Sequence, residues 1–228
     1  MFVGRASIMS SKEREEWRSY YDFCIRDLMF ALEHVNQKYV RWTLGKTTKE
    51  DDSFDSTANN YCERVFAYEL YHQFRRLMCD NDRYLSLLLN GEQQKDNSHF
   101  KHLLDVIKKE KIIPDLILHE NMGTHEYGGQ VLYVEIKTKD NENVFEDLSK
   151  LSGLAKTNLN FFYYVFIYVD GTKEGLIKKI MGDRVKRDYS KLDDEILCIC
   201  IKEQKAECVS IKNLKKEIET IIKNNKEK

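Results

Sequence analysis

The spacing of apolar residues near the start of the chain predicts two helices. Apolar side chains recur at helical intervals across residues 10–40, which predicts one long helix there. Ser10 followed by Glu13 is a capping-box pattern, so we expect this helix to begin at Ser10. Residues 44–60 are polar and rich in turn formers, which predicts a loop, and a second helix is predicted from about Asn60 to Cys79.

Six short apolar runs predict β-strands, and segments between them predict helices. The predicted strands are Arg83–Asn90, Ile112–Leu118, Val131–Lys137, Phe161–Val169, Glu195–Ile201 and Ala206–Ile211. The predicted helices cover residues 99–109, 143–156, 172–185 and 212–223, and a loop over residues 121–130 should close a hairpin. The fourth run is apolar throughout, which is typical of a central strand covered on both faces. This order predicts an α/β fold in which helices flank a mixed β-sheet.

The composition argues against zinc-binding, secreted and membrane-spanning proteins, but it does not indicate a particular reaction. The 228 residues carry a net charge of −1, so an anionic partner would have to meet a local basic patch. The six cysteines form no CxxC pair and no histidine cluster accompanies them, so we expect reduced thiols, no zinc site and a cytoplasmic protein. We expect no membrane partner, because the N-terminus lacks a signal-peptide core and no apolar run is long enough to span a bilayer.

Charged residues interrupt two of the strand-like runs. Asp115 follows Pro114 in the first, and twenty positions after Asp115 the second carries Glu135, Ile136 and Lys137. Burial of a charge without a partner costs several kcal/mol, so these side chains need compensation. A divalent metal ion together with a phosphate substrate would provide it.

Strand alternation predicts that these charges share one face. Glu135 and Lys137 should point the same way as Tyr133 and Val131, and hairpin pairing should bring Asp115 beside Glu135. Two adjacent carboxylates repel each other, which favours a shared Mg²⁺ or Mn²⁺, because these ions prefer oxygen ligands. The competing interpretation is that Glu135 and Lys137 line the solvent face of a half-buried strand.

A third acid is expected from the second helix. On a helical wheel Glu63 lies on the apolar stripe, whereas Glu69 lies on the polar side with His72 and Gln73. A carboxylate at the head of a buried stripe needs a partner, and a position near a helix N-terminus favours its ionised form. The wheel therefore favours Glu63, and Glu69 stays as the alternative third acid.

Together these residues resemble the motif of the PD-(D/E)xK nuclease superfamily. Glu63, the Pro114-Asp115 pair and Glu135-Ile136-Lys137 occur in the order and the helix–strand–strand context of that motif. The resemblance covers about residues 60–170 and implies a restriction-endonuclease-like mixed β-sheet flanked by helices. Residues 1–50 are then expected to form an N-terminal helical extension, and residues 51–228 the nuclease-like domain.

The resemblance implies roles for individual residues. Asp115, Glu135 and the backbone carbonyl of Ile136 would bind Mg²⁺ or Mn²⁺. Lys137 would orient or deprotonate the attacking water, and Glu63 would complete the site. Lys150, on the helix after the third strand, is a candidate accessory residue.

The implied activity is metal-dependent hydrolysis of phosphodiester bonds, as an endodeoxyribonuclease in defence, mobile-element control or repair. DNA is the favoured substrate, RNA stays an alternative, and a homodimer would allow both strands to be cut. Basic residues near the motif in sequence are the candidate nucleic-acid contacts: Lys108, Lys109, Lys111, Lys139 and Lys156. The alternative function is a module of the same fold, without catalysis, that binds DNA or a partner protein.

Overall fold

The structure, a computed structural model, describes most of the chain in seven segments. They are residues 10–36, 38–39, 56–91, 114–120, 129–157, 161–182 and 187–226. The helix predicted over residues 99–109 and most of the loop predicted over residues 121–130 lie outside them.

Among the described residues three helices precede the first strand, and further helices follow the third, fourth and sixth strands. The helices are α1 (Ser11–Tyr20), α2 (Asp22–Glu33), α3 (Ser56–Cys79), α4 (Val144–Ala155), α5 (Lys173–Met181) and α6 (Ile211–Lys226). The strands are β1 (Leu87–Gly91), β2 (Leu116–Glu120), β3 (Gln130–Thr138), β4 (Tyr163–Val169), β5 (Leu197–Lys202) and β6 (Lys205–Ser210).

The six strands form one mixed sheet in sequence order, which confirms the predicted α/β class. β1, β2 and β3 pair antiparallel, β3, β4 and β5 pair parallel, and β6 returns antiparallel to β5. The three parallel strands therefore end at the same edge of the sheet, where the chain must leave each of them.

Helices cover both faces of this sheet and enclose two apolar cores. The first core lies under α2 and α3, with Leu28 and Phe66 among its buried residues. The second lies under α4, α5 and α6, with Leu148 and Ile177 among its members. β4 contributes to both cores, and all seven of its residues are buried, as its unbroken apolar sequence predicts.

The predicted N-terminal helix is wrong in one respect, because the chain forms two helices that meet at Tyr21. Tyr21 has φ −95° and ψ 7°, outside the helical range, and its ring is buried in the first core. Its hydroxyl donates a hydrogen bond to Glu120 at the end of β2. The break thus lets the Tyr21 ring enter the core, a tertiary contact that helical periodicity does not register. The predicted capping box of Ser10 and Glu13 is present.

Two further boundaries differ from the sequence prediction. α3 begins at Ser56, inside the segment predicted as a loop. A short 3₁₀ helix, Asp82–Tyr84, precedes β1 where a strand was predicted from Arg83. The Asn81 side chain accepts a hydrogen bond from the Arg83 N–H at 3.1 Å, which stabilises this turn in place of strand pairing.

A β-bulge changes the predicted orientation of Val131. Leu118 pairs with Leu132, but the next residue of β2, His119, pairs with Gln130, so Val131 is the extra residue. Val131 consequently packs in the first core, although strict alternation assigns it to the face of Tyr133. The prediction for Val131 is wrong, whereas Tyr133 lies in the second core, as alternation requires.

The N-terminal helices pack directly on the sheet. Residues of α2 belong to the same core as residues of β2, β3 and β4. The predicted boundary at residue 50 lies outside the described residues and stays a prediction. Among the described helices none is long and apolar enough to cross a membrane. The five cysteines that the structure describes are free thiols.

Truncation of the central strand should destabilise the whole domain. Phe166 in β4 has 0% exposure, so Phe166→Ala leaves a cavity and should cost about 3–5 kcal/mol of unfolding free energy. Leu85 is 85% exposed, so Leu85→Ala should cost less than about 0.5 kcal/mol. Urea unfolding of both variants measures these costs, and similar values for the two would contradict the layered core.

Candidate active site

Asp115 is fixed at the start of β2 by two backbone contacts with β3. Its N–H donates to the Val134 carbonyl at 3.0 Å, and its Oδ2 accepts the Ile136 N–H at 2.7 Å. Because Leu116 pairs with Val134, Asp115 lies opposite Glu135. The hairpin register therefore brings together the two carboxylates that strand alternation predicts as neighbours.

Lys137 lies between carboxylates from three elements of the fold. Its Nζ is 2.7 Å from Glu135 Oε1 on the same strand. It is 3.6 Å from Glu63 Oε2 on α3 and 4.0 Å from Asp147 Oδ2 on α4. All four side chains are mostly buried, so they form an ion-pair cluster at the point where both helix layers meet β3.

Glu63 connects α3 to the end of β3. Its Oε1 accepts hydrogen bonds from the backbone N–H of Thr138 at 3.2 Å, from the Thr138 hydroxyl at 3.4 Å and from the Asn141 side-chain amide at 3.3 Å. Glu69 instead accepts a hydrogen bond from Gln73 at 2.7 Å on its own helix. The structure therefore brings Glu63 into the cluster and leaves Glu69 outside it, as the helical wheel favours.

Asp147 is the member of the cluster that the sequence analysis did not select. The resemblance draws attention to Lys150, but Lys150 is 55% exposed and reaches the cluster only through Asp147, at 2.9 Å. The Asp147 side chain is 12% exposed. A signal was present in the sequence, because Asp147 lies three residues after Val144 and four before Leu151, both buried residues of α4.

Burial changes the proton affinity of the two strand carboxylates. It raises the pKa of Asp115 to about 8, and the Glu135 carboxylate acts in the same direction. The pKa of Glu135 is also raised by burial, which outweighs the opposing effect of the Lys137 ammonium. Burial alone would lower the pKa of Lys137, but Glu135, Glu63 and Asp115 raise it above its usual range. Lys137 is therefore a cation at neutral pH.

The two strand carboxylates are the candidates for holding a divalent cation, because such ions prefer oxygen ligands. Four acids surround one lysine, so the cluster carries excess negative charge whenever they are ionised. Glu135 Oε2 is buried and has no hydrogen-bond partner among the described residues. Within the described segments no group of three or more His, Cys, Asp or Glu residues is arranged to hold a metal ion. Asp115 and Glu135 would therefore need a further oxygen ligand, for which the resemblance implies the Ile136 carbonyl.

The candidate nucleic-acid contacts are dispersed. Lys139 directly follows β3 and forms an ion pair with Asp170 at the end of β4. Lys156 is exposed at the end of α4, where its Nζ donates to the Lys191 carbonyl at 3.3 Å. Three further candidates, Lys108, Lys109 and Lys111, lie outside the described residues. Of the two that are described, Lys139 is the one beside the cluster.

The raised pKa of Asp115 predicts how stability depends on pH in the absence of metal. Between its unfolded pKa, near 4, and its folded pKa of about 8, the folded protein holds a proton that the unfolded chain has released. Unfolding free energy, measured by urea titration with a chelator present, should therefore fall as pH rises from about 5 to 8.

Asp115→Asn should make this fall shallower, because asparagine keeps the shape and cannot ionise. The variant should be more stable than wild type at about pH 8 and similar to it at about pH 5. Glu219→Gln, at an exposed position on α6, is the control and should keep the wild-type profile. An Asp115→Asn profile parallel to that of wild type would contradict the buried carboxyl.

Comparison of the chain with family models, with curated proteins and with solved structures finds no match. The geometry of the cluster formed by Glu63, Asp115, Glu135, Lys137 and Asp147 is therefore the basis for any functional conclusion.

Proposed function

We propose that this protein is a metal-dependent endonuclease with a restriction-endonuclease-like fold, and that it hydrolyses phosphodiester bonds in DNA. One observation carries the proposal. Asp115, Glu135, Lys137 and Glu63, the residues of the motif-like pattern in the sequence, converge at the end of β3. In support of the fold, α3, β2 and β3 are followed by α4 and the buried strand β4, in the order of that family.

Asp115 and Glu135 are the residues that would hold Mg²⁺ or Mn²⁺, together with the Ile136 carbonyl. The unpartnered Oε2 of Glu135 supports this assignment, because a buried carboxylate oxygen needs a cation or a hydrogen-bond donor. When bound, such an ion supplies Lewis-acid polarisation of the phosphate and a lowered pKa for nearby water. Asp115 must release its proton to serve as a ligand, so metal binding should strengthen as pH rises towards 8.

Lys137 would orient the attacking water and stabilise the negative charge that develops on the phosphate. Its raised pKa keeps it protonated, which suits hydrogen-bond donation and excludes a role as general base in this charge state. Glu63 and Asp147 hold its ammonium from the two helix layers. They therefore act as positioning residues, which fix the orientation of the Lys137 ammonium.

A second candidate function is supported by the same ion pairs. The Lys137 ammonium pairs with Glu135, Glu63 and Asp147 and compensates part of their negative charge by itself. A module that binds DNA or a protein without cleaving it could retain this cluster as a structural device. Measurements of cleavage and of metal binding separate the two candidates.

Removal of the Lys137 ammonium should abolish most DNA cleavage, whereas removal of the Lys150 ammonium should change the cleavage rate little. Lys137→Ala should lower the rate of DNA cleavage with Mg²⁺ by about 10²–10³-fold, the usual effect of losing one donor to a developing oxyanion. Lys150→Ala should lower it by less than about tenfold, since among the described residues the Lys150 ammonium pairs with Asp147 alone. Gel assays on single-stranded, double-stranded and branched DNA provide the rates. Equal activity of wild type and Lys137→Ala would remove Lys137 from the mechanism.

Metal binding should stabilise the folded protein through Asp115. At about 100 times the dissociation constant, Mn²⁺ should add about 2.7 kcal/mol and raise the melting temperature by about 5–10 °C. Asp115→Asn should lose this gain, and Glu69→Gln should keep it because Glu69 lies outside the cluster. Thermal melts with and without Mn²⁺ give the shift. Stabilisation that persists in Asp115→Asn would place the metal elsewhere, and its absence in wild type would favour the module without catalysis.

A further inference from the structure

A cleft lies next to the cluster, at the carboxyl ends of the parallel strands. It has a volume of about 640 Å³ and is bounded by Lys139 after β3, Asp170 after β4 and Lys202 at the end of β5. α5 begins at its wall, since Thr172 and Gly175 also line it. Ligands of α/β proteins commonly bind at this edge of the sheet, where loops replace the hydrogen-bonded strands.

The cleft is positively charged although the chain as a whole is not. Five cationic side chains line it, namely Lys139, Lys178, Lys179, Lys202 and Arg187, against three acidic ones. Lys139 is paired with Asp170, and Arg187 is 3.5 Å from Glu146. The ammonium groups of Lys178 and Lys202 are exposed and form no ion pair or hydrogen bond among the described residues. Two free cations therefore face a cavity large enough for a phosphate group.

The cleft and the cluster share a wall. Tyr168, which lines the cleft, pairs in register with Lys137 and donates its hydroxyl to the Lys139 carbonyl at 3.4 Å. Asn141 contacts both sites. Its side-chain amide donates a hydrogen bond to Glu63 in the cluster, and its backbone carbonyl accepts one from the Lys179 ammonium in the cleft, at 3.2 Å. Lys139 lies two positions after Lys137, a rise of about 7 Å along a strand. A nucleic-acid strand held at the cluster would therefore extend into the cleft within a few nucleotides.

The geometry points to this cleft as the site that binds the phosphate backbone of DNA beside the bond that is hydrolysed, with Lys178 and Lys202 as its free phosphate contacts. This inference rests on the proposed function for the identity of the substrate. Lysine binds phosphate as a point charge without reading the base, so the contact gives affinity and register rather than sequence specificity.

Charge reversal in the cleft tests the inference. Lys178→Glu combined with Lys202→Glu should weaken the binding of a fluorescent DNA duplex by at least about tenfold. It should also reduce the slope of log affinity against log salt by about 2, one for each lost phosphate contact. Lys212→Glu combined with Lys216→Glu is the matched control, because both residues are exposed on α6 and the change in net charge is the same. Fluorescence anisotropy with a chelator measures binding without cleavage.

The outcomes separate this inference from the proposed function. A selective loss of binding in the cleft variant supports the cleft, whether or not the wild-type protein cleaves DNA. If the wild-type protein cleaves DNA but the cleft variant and the control variant bind DNA with equal affinity, the proposed role of the cleft is wrong and the proposed nuclease activity stands. Binding of inorganic phosphate without binding of DNA, or a preference for RNA of the same sequence, would also overturn it. If charge reversal prevents folding, Lys178→Ala with Lys202→Ala carries the same test with a smaller effect.

Discussion

The ion pair between Lys137 and Glu135 is the interaction on which the candidate site depends. It lies on β3, and carboxylates from α3 and α4 approach the same ammonium from the two helix layers. Removal of one partner from a buried pair costs about 3–5 kcal/mol, because the other charge is left uncompensated. The cluster therefore couples the site to the packing of both helix layers, because a shift of α3 or α4 would move a carboxylate away from Lys137.

β3 has this role because it is the strand at which the sheet changes direction. It pairs antiparallel with β2, which places Asp115 opposite Glu135, and parallel with β4, which directs the chain into α4 and returns Asp147 to the same point. A purely antiparallel meander would not bring a crossover helix over these residues. The mixed topology thus brings two acids to β3: Asp115 from the start of the antiparallel neighbour β2, and Asp147 from the crossover helix α4.

Local periodicity was sufficient to predict the strand residues and Glu63, because alternation in a strand and the helical wheel depend on the backbone alone. It failed where a distant contact decides the local conformation. The break at Tyr21 depends on Glu120, 99 positions away, and the orientation of Val131 depends on a bulge against β2. Asp147 lies on the buried side of α4, a position that a helical wheel can identify, whereas the motif resemblance points to Lys150. The cleft was beyond sequence reasoning, since only the sheet topology brings Lys178 and Lys202 together.

Asn141 connects the ion-pair cluster to the cleft at a single position of the chain. Its side chain holds Glu63, and its carbonyl holds Lys179 in the cleft wall. Coupling of this kind is reciprocal, so whatever displaces one partner is felt by the other. Under the proposed function, one substitution at Asn141 therefore disturbs the cluster and the cleft at once, so two separate defects have a single cause.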